Sequence, residues 1–236
     1  LKAVTFKKFD AIEDRTWKTL FERQSLKRDQ QIVPQFSEGL RLLGIDADKI
    51  PDLDVVNKKL RRLTGWEGLP VAGLEEGESF YEMLAHRQFP IGNFIRDEKD
   101  LSYTPAPDIF HDLYGHLPFF ADPKYAEFCQ VFGCLASSYK NNPKILREFE
   151  RFFWFTIEFG LIETENGRRI FGAGIASSFG ECEYALSSVP KIQHFDIEAI
   201  RNREFQIDIF QEQLYLLKST QQLYESLEAF AKACRH

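Results

Sequence analysis

Apolar residues recur at helical spacing along most of the chain. Asp10 followed by Glu13 forms a capping-box pattern that opens a helix through Trp17, Leu20 and Phe21. Two more apolar faces predict helices over 34–43 and 53–63. Asp122-Pro123 and Asn142-Pro143 each set an N-cap residue before a proline at the first helical position. The first pair opens a helix through Phe128 and Leu135, the second a helix through Phe149 and Phe155 to Gly160. Ser219 and Gln222 cap a last helix with Leu223, Leu227, Phe230, Ala231 and Cys234 on one face, which is expected to pack on the domain. Strand signals are few. Phe205, Ile207 and Ile209 alternate with polar residues, and Ile170 precedes a Gly-rich turn. Residues 65–77 read as a loop, and no repeat or linker interrupts the chain. The expectation is a fold that is mainly α with minor β, in a single catalytic domain over 1–236.

Composition narrows the class. At 236 residues, a chain buries roughly 70% of its unfolded surface and needs no disulfide to hold a core. Phenylalanine supplies 23 residues, which predicts an aromatic interior of the kind that lines sites for flat ligands. A net charge of −6 with interspersed signs offers no basic stripe, so nucleic acid is excluded as a partner. The longest apolar run, 152–162, is broken by Glu158 and is too short to cross a bilayer. Cys129, Cys134, Cys182 and Cys234 form no CxxC pair; all but Cys182 lie in apolar helical patterns. Reduced thiols and the lack of a signal peptide point to a cytoplasmic protein. The chain starts at Leu1 rather than Met, so preceding residues are expected to be missing.

The segment 107–118 carries the most chemistry. His111 and His116 are two of only five histidines, five residues apart. On a straight α-helix that step turns them about 140° apart, a poor arrangement for chelation. A left-handed Gly115 that ends the helix could swing His116 back, with Pro118 discouraging continuation. Taken alone, two unrelated histidines explain the pattern equally well. Glu158 strengthens the metal reading: it lies within a stretch apolar nearly all round, where an unpaired carboxylate costs several kcal/mol. A buried ion pair with an arginine is the ordinary alternative. Two imidazoles and one carboxylate fit the facial triad of Fe(II) oxygenases. A His2Glu zinc hydrolase is the rival, but the zinc-protease pattern needs a four-residue step between histidines.

Three segments, PDIFHDLYGHLPFF (107–120), FWFTIEFGL (153–161) and GAGIASSFGECEY (172–184), together resemble the aromatic amino acid hydroxylases, in particular their single-domain bacterial phenylalanine-hydroxylating members. The similarity runs from about Arg15 to the last helix. It implies the mainly helical catalytic-domain fold of that family, with Fe(II), a tetrahydropterin co-substrate and dioxygen, one oxygen atom going to the ring and the other to the pterin. By the resemblance, His111, His116 and Glu158 are the iron ligands. Arg96 stands where an arginine clamps the substrate carboxylate, a role suited to a guanidinium fork. Thr104, Gly174 and Ser177 fall where the polar end of the amino acid is held, and Pro107 and Trp154 where its ring packs. Phe80 matches the residue that stacks on the pterin, with Gly73 and Glu75 in the accompanying loop. Glu181 matches an acid behind the ligands, which orients polar groups of the site.

Two departures bear on cofactor handling. Asp112, beside the pterin, stands where animal members carry Glu, and Phe153 where they carry Tyr. The regulatory domain and tetramerisation helix of the animal enzymes have no counterpart in this sequence, so a monomer is expected. The resemblance implies hydroxylation of L-phenylalanine to L-tyrosine. Tryptophan hydroxylation and phenylalanine 3-hydroxylation are the near alternatives, a zinc hydrolase or a silent binding protein the distant ones.

Overall fold

Helix takes 56% and strand 12% of the chain in the computed structural model, which describes residues 4–73, 75, 77–101 and 106–233. The mainly helical expectation holds. Asp10 caps helix Ala11–Ser25, its carboxylate accepting from Ile12 and Glu13 while Glu13 reaches back to the Asp10 amide. Helices Pro34–Leu43 and Leu53–Thr64 form where the periodicity places them, the second ending at a left-handed Gly65. Asp122 and Asn142 cap Pro123–Ser138 and Pro143–Phe153.

The chain divides into two compact units: Leu1–Asp29 with Pro34–Cys134, and Gln30–Val33 with Leu135–His236. The first unit is built on an aromatic network. Phe110 lies edge-on to Trp17 and stacks on Tyr114, and Tyr114 meets Phe21 and Phe36 edge-on. Phe120 stacks on Trp66 at 4.2 Å. Its small sheet pairs β1 (Glu67–Pro70) in parallel with β2 (Gln88–Ile91). The 65–77 stretch is therefore partly strand. Its Gly68 is held at both backbone polar groups by the Asn57 amide, at 2.7 and 2.9 Å, a side-chain clamp that alternation cannot reveal.

In the second unit β3 (Leu161–Thr164), β4 (Gly167–Ile170), β5 (Lys191–His194) and β6 (Gln213–Leu217) form one sheet in the order β4-β3-β6-β5. The β3–β4 hairpin turns through Gly167 at φ +90°. The last helix, Thr220–Ala233, buries Leu223, Leu227 and Phe230, with Phe230 against Phe149 and Phe152. It packs on its own unit, as expected. The alternation at Phe205, Ile207 and Ile209 does not make a strand: residues 203–210 are irregular, and Ile207 is 76% exposed. Cys182 is buried inside helix Phe179–Leu186, whereas Cys134 is exposed. Cys234 lies outside the described residues. Among the described residues no helix is long and apolar enough to cross a membrane.

Candidate metal centre

The five-residue step between the histidines is resolved by the helix type. Phe110–His116 is a π-helix, whose i→i+5 hydrogen bonds bring residues five apart onto one face. The Leu117 amide closes one such bond on the Asp112 carbonyl. The expected left-handed Gly115 is not found: it is absent from the positive-φ residues. Nor does Pro118 stop the chain, because it sits in the first turn of the next helix, Leu117–Phe120, where its missing N–H costs nothing. The widened turn aims the two rings at each other, Nε2 to Nε2 at 3.0 Å.

Glu158 ends a second π-helix, Trp154–Glu158, which continues directly from Pro143–Phe153. Its i→i+5 bond runs from the Phe159 amide to the Trp154 carbonyl at 2.9 Å. The carboxylate is half-buried at the end of this turn rather than deep inside a helix. Phe152, Phe155 and Ile157 take the apolar burial, and the buried acid of this helix that an arginine neutralises is Glu148, 2.7 Å from Arg201.

His111 and His116 in the first unit and Glu158 in the second can each offer one ligand atom to a metal ion. Two ring nitrogens that face each other share either one proton or one cation. Nitrogens about 2.1 Å from one ion lie about 3.0 Å apart at a right angle and about 3.4 Å apart at a tetrahedral angle. The observed 3.0 Å fits the right angle. Two imidazoles and a carboxylate, with no fourth protein ligand in the cluster among the described residues, suit an ion that keeps open positions.

Glycines shape the carboxylate's surroundings. A Cβ on Gly172 would lie 2.2 Å from the Glu158 carbonyl oxygen, and one on Gly174 would lie 3.1 Å from Glu158 Oε2. Gly160 is equally tight against the Thr156 carbonyl, at 2.3 Å. Gly174 also has its carbonyl bound by the buried Ser177 hydroxyl at 3.1 Å. Sequence reading found the glycines of the 172–177 loop but missed Gly160; their clustering around the 158–160 backbone is the signal, and only the fold brings it together.

Arg96 is buried, and Asp108 holds it. The Asp108 carboxylate accepts from Arg96 Nε, Nη2 and backbone N–H, and also from the His111 amide at 3.0 Å. Burial pushes the Asp108 carboxyl up, but the guanidinium and these amides more than offset it and hold it below the ordinary range. Asp108 went unnoticed in the sequence, although an acid after proline at a helix start is a capping signal. Asp112 is buried too, its Oδ2 accepting the Gly92 amide at 2.7 Å.

The remaining expected residues are less closely knit. Phe80 lies edge-on to Phe89, whose ring is 4.5 Å from that of His116. Glu75 accepts the Ser79 hydroxyl, a Cβ on Gly73 would meet no atom of the described residues within 4 Å, and Pro107 is exposed. Thr104 lies outside the described residues. Trp154 is half-buried, stacked on Phe205 at 4.3 Å with Phe159 tilted against it at 4.5 Å. The Glu181 carboxyl is pushed up to about 7 by burial, and its Oε2 has no hydrogen-bond partner among the described residues.

A family profile described as biopterin-dependent aromatic amino acid hydroxylase matches residues 2–236. The phenylalanine-4-hydroxylase of Chromobacterium violaceum is 38% identical over 225 residues, 93% of this chain and 74% of that protein. That of Caulobacter vibrioides is 39% identical over 214 residues, 90% of this chain and 72% of the other. Among solved structures, the C. violaceum phenylalanine hydroxylase with bound iron(III) and 7,8-dihydrobiopterin superposes with a TM-score of 0.90 at 38% identity, covering 95% of this chain and 82% of that one.

Proposed function

The chain belongs to the biopterin-dependent aromatic amino acid hydroxylases, and we propose that it converts L-phenylalanine to L-tyrosine with dioxygen, a tetrahydropterin and ferrous iron. The observation that carries this reading is the pair of imidazole nitrogens that face each other at 3.0 Å, with the Glu158 carboxylate proposed as the third ligand. Solved relatives named phenylalanine hydroxylase bind iron and a dihydrobiopterin. His111, His116 and Glu158 would hold the ion by one face, leaving the opposite face open. A single carboxylate leaves ferrous iron a net positive charge. When bound, iron and pterin supply the redox chemistry that divides dioxygen between the ring and the pterin.

The protein's part is placement. Arg96 has five N–H donors; among the described residues Asp108 and the Leu101 carbonyl engage three, and the other two are proposed to anchor the substrate carboxylate. Asp108 fixes the plane of that fork. Thr104, Gly174 and Ser177 are proposed to hold the amino acid's polar end, and Pro107 and Trp154 to flank its ring. Phe80 is proposed to stack on the pterin, with Gly73, Glu75 and Asp112 beside it. Glu181, an acid behind the site, would order its polar groups. A match across residues 2–236 supports treating the chain as one catalytic domain. We further propose a cytoplasmic monomer acting on small molecules, with neither nucleic acid nor a membrane as partner.

The test is direct. Iron-loaded protein is incubated with tetrahydropterin, oxygen and phenylalanine, tyrosine or tryptophan separately, and the products are identified. Tyrosine from phenylalanine is the expected result. Turnover of tryptophan alone, or a hydroxyl at the meta position, would replace the assigned substrate or product. Hydrolytic activity with zinc and no pterin would remove the oxygenase reading.

A further inference from the structure

Gln211 is the buried polar residue that binds the Trp154 indole. Its Oε1 accepts the Trp154 Nε1–H at 3.2 Å, while its Nε2 donates to the carbonyls of Gln206 and Ile209 at 2.7 and 3.0 Å. Its own carbonyl accepts the Tyr184 hydroxyl at 3.2 Å. One side chain thus fastens the irregular segment 206–211 to itself and to the indole. The residue just before that segment, Phe205, is stacked on Trp154 with an interplanar angle of 14°. Phe205 is in turn covered by the Arg147 guanidinium, 4.7 Å from its centroid. The indole is therefore held by its N–H edge and by a ring face, and both restraints come from one stretch of seven residues that is otherwise exposed at Ile207, Ile209 and Phe210.

From this we infer that Gln211 is a positioning residue which, acting through the Trp154 indole, sets selectivity among aromatic amino acids. The inference rests on the reading of Trp154 as a wall of the amino acid slot. An indole tethered at its N–H keeps its ring plane fixed, and a flat slot discriminates ring size only while its walls stay put. A truncated tether frees the ring to rotate, and the slot loses its preference for the smaller substrate. A single buried hydrogen bond of this kind supports an effect of about fivefold.

The first experiment needs no variant. In uniformly 15N-labelled protein, the Trp154 indole N–H, assigned by its loss in Trp154→Phe, is expected to exchange with solvent at least tenfold more slowly than a free indole. Exchange at the free rate overturns the tether. The second is a double-mutant cycle on phenylalanine and tryptophan turnover. Gln211→Leu is expected to raise the KM for phenylalanine about fivefold and to lower the phenylalanine-to-tryptophan ratio of kcat/KM, while pterin oxidation continues. In the Trp154→Phe background the same substitution is expected to leave that ratio unchanged. An equal effect in both backgrounds would show that Gln211 does not act through the indole. Parental protein assayed alongside separates the two readings: inactivity toward phenylalanine there refutes the assigned reaction, whereas activity with unaltered selectivity in Gln211→Leu refutes the tether alone.

Discussion

Asp108 meets the Arg96 guanidinium edge-on, its two oxygens taking Nε at 2.8 Å and Nη2 at 2.9 Å. Neither residue has appreciable contact with solvent: Asp108 is 0% exposed and Arg96 9%. A buried pair of this kind is costly to break from one side, because the remaining charge stays dehydrated. Asp108→Asn is expected to lose about 3 kcal/mol of stability. It is also expected to raise the KM for phenylalanine more than tenfold with iron still bound. Thermal unfolding and steady-state kinetics test both; an unchanged melting temperature would show that the pair contributes nothing.

Gly172 and Gly174 differ in how closely they approach Glu158. At Gly172 the added carbon would meet backbone atoms at 2.2 and 2.5 Å, which cannot move without shifting the chain. At Gly174 the nearest contacts are 3.0 and 3.1 Å, within reach of a small adjustment. Gly172→Ala is expected to fold poorly or not at all. Gly174→Ala is expected to fold and to bind ferrous iron about tenfold more weakly through a displaced carboxylate. Equal iron affinity in Gly174→Ala and the parent would remove Gly174 from the site.

Metal binding is linked to folding. A ligand held at a hundredfold above its dissociation constant stabilises the native state by about 2.7 kcal/mol. For a chain of this size that corresponds to a rise in Tm of roughly 5–10 °C. Anaerobic ferrous iron is expected to produce this shift in the parent and none in Glu158→Ala or His116→Ala. The same shift in all three proteins would place the ion elsewhere.

Glu181 carries a pH signature. Burial raises its carboxyl from 4.5 to about 7 in the folded chain. Between those values the folded state holds a proton that the unfolded chain has released, so stability falls as pH rises and levels off above about 7. In metal-free protein, Glu181→Gln is expected to gain stability relative to the parent between pH 5 and pH 8. Denaturant titrations at the two pH values measure this. A difference that is the same at both means the acid titrates normally.

Much of the fold was legible because it follows local rules. Asp10, Asp122 and Asn142 cap the helices they announce, and the apolar faces of Pro34–Leu43 and Leu53–Thr64 match their burial. The iron-binding candidates were legible as residue types, since histidine pairs and lone acids in apolar stretches are rare. Their geometry was not. An α-helical step puts His111 and His116 on different faces, and nothing in the sequence states that the turn is widened. The strand at Glu67–Pro70 and the irregular 203–210 segment were misread for a related reason. Asn57 and Gln211 set those conformations from a distance or through side-chain bonds, whereas alternation reports only local pattern. Asp108, Gly160, Gly172 and Gln211 owe their importance to partners that only the folded chain supplies.

A π-turn is an α-helix carrying one surplus residue. The segments ending at His116 and Glu158 are therefore each one amino acid longer than regular winding requires. Excising Leu113 would let the first of them rewind, tightening its backbone ladder while rotating His116 off target. Point substitution cannot achieve that, since it preserves chain length. The centre is thus encoded partly in the count of residues as well as in their identity, and insertions or deletions are the changes by which such a centre would be won or lost.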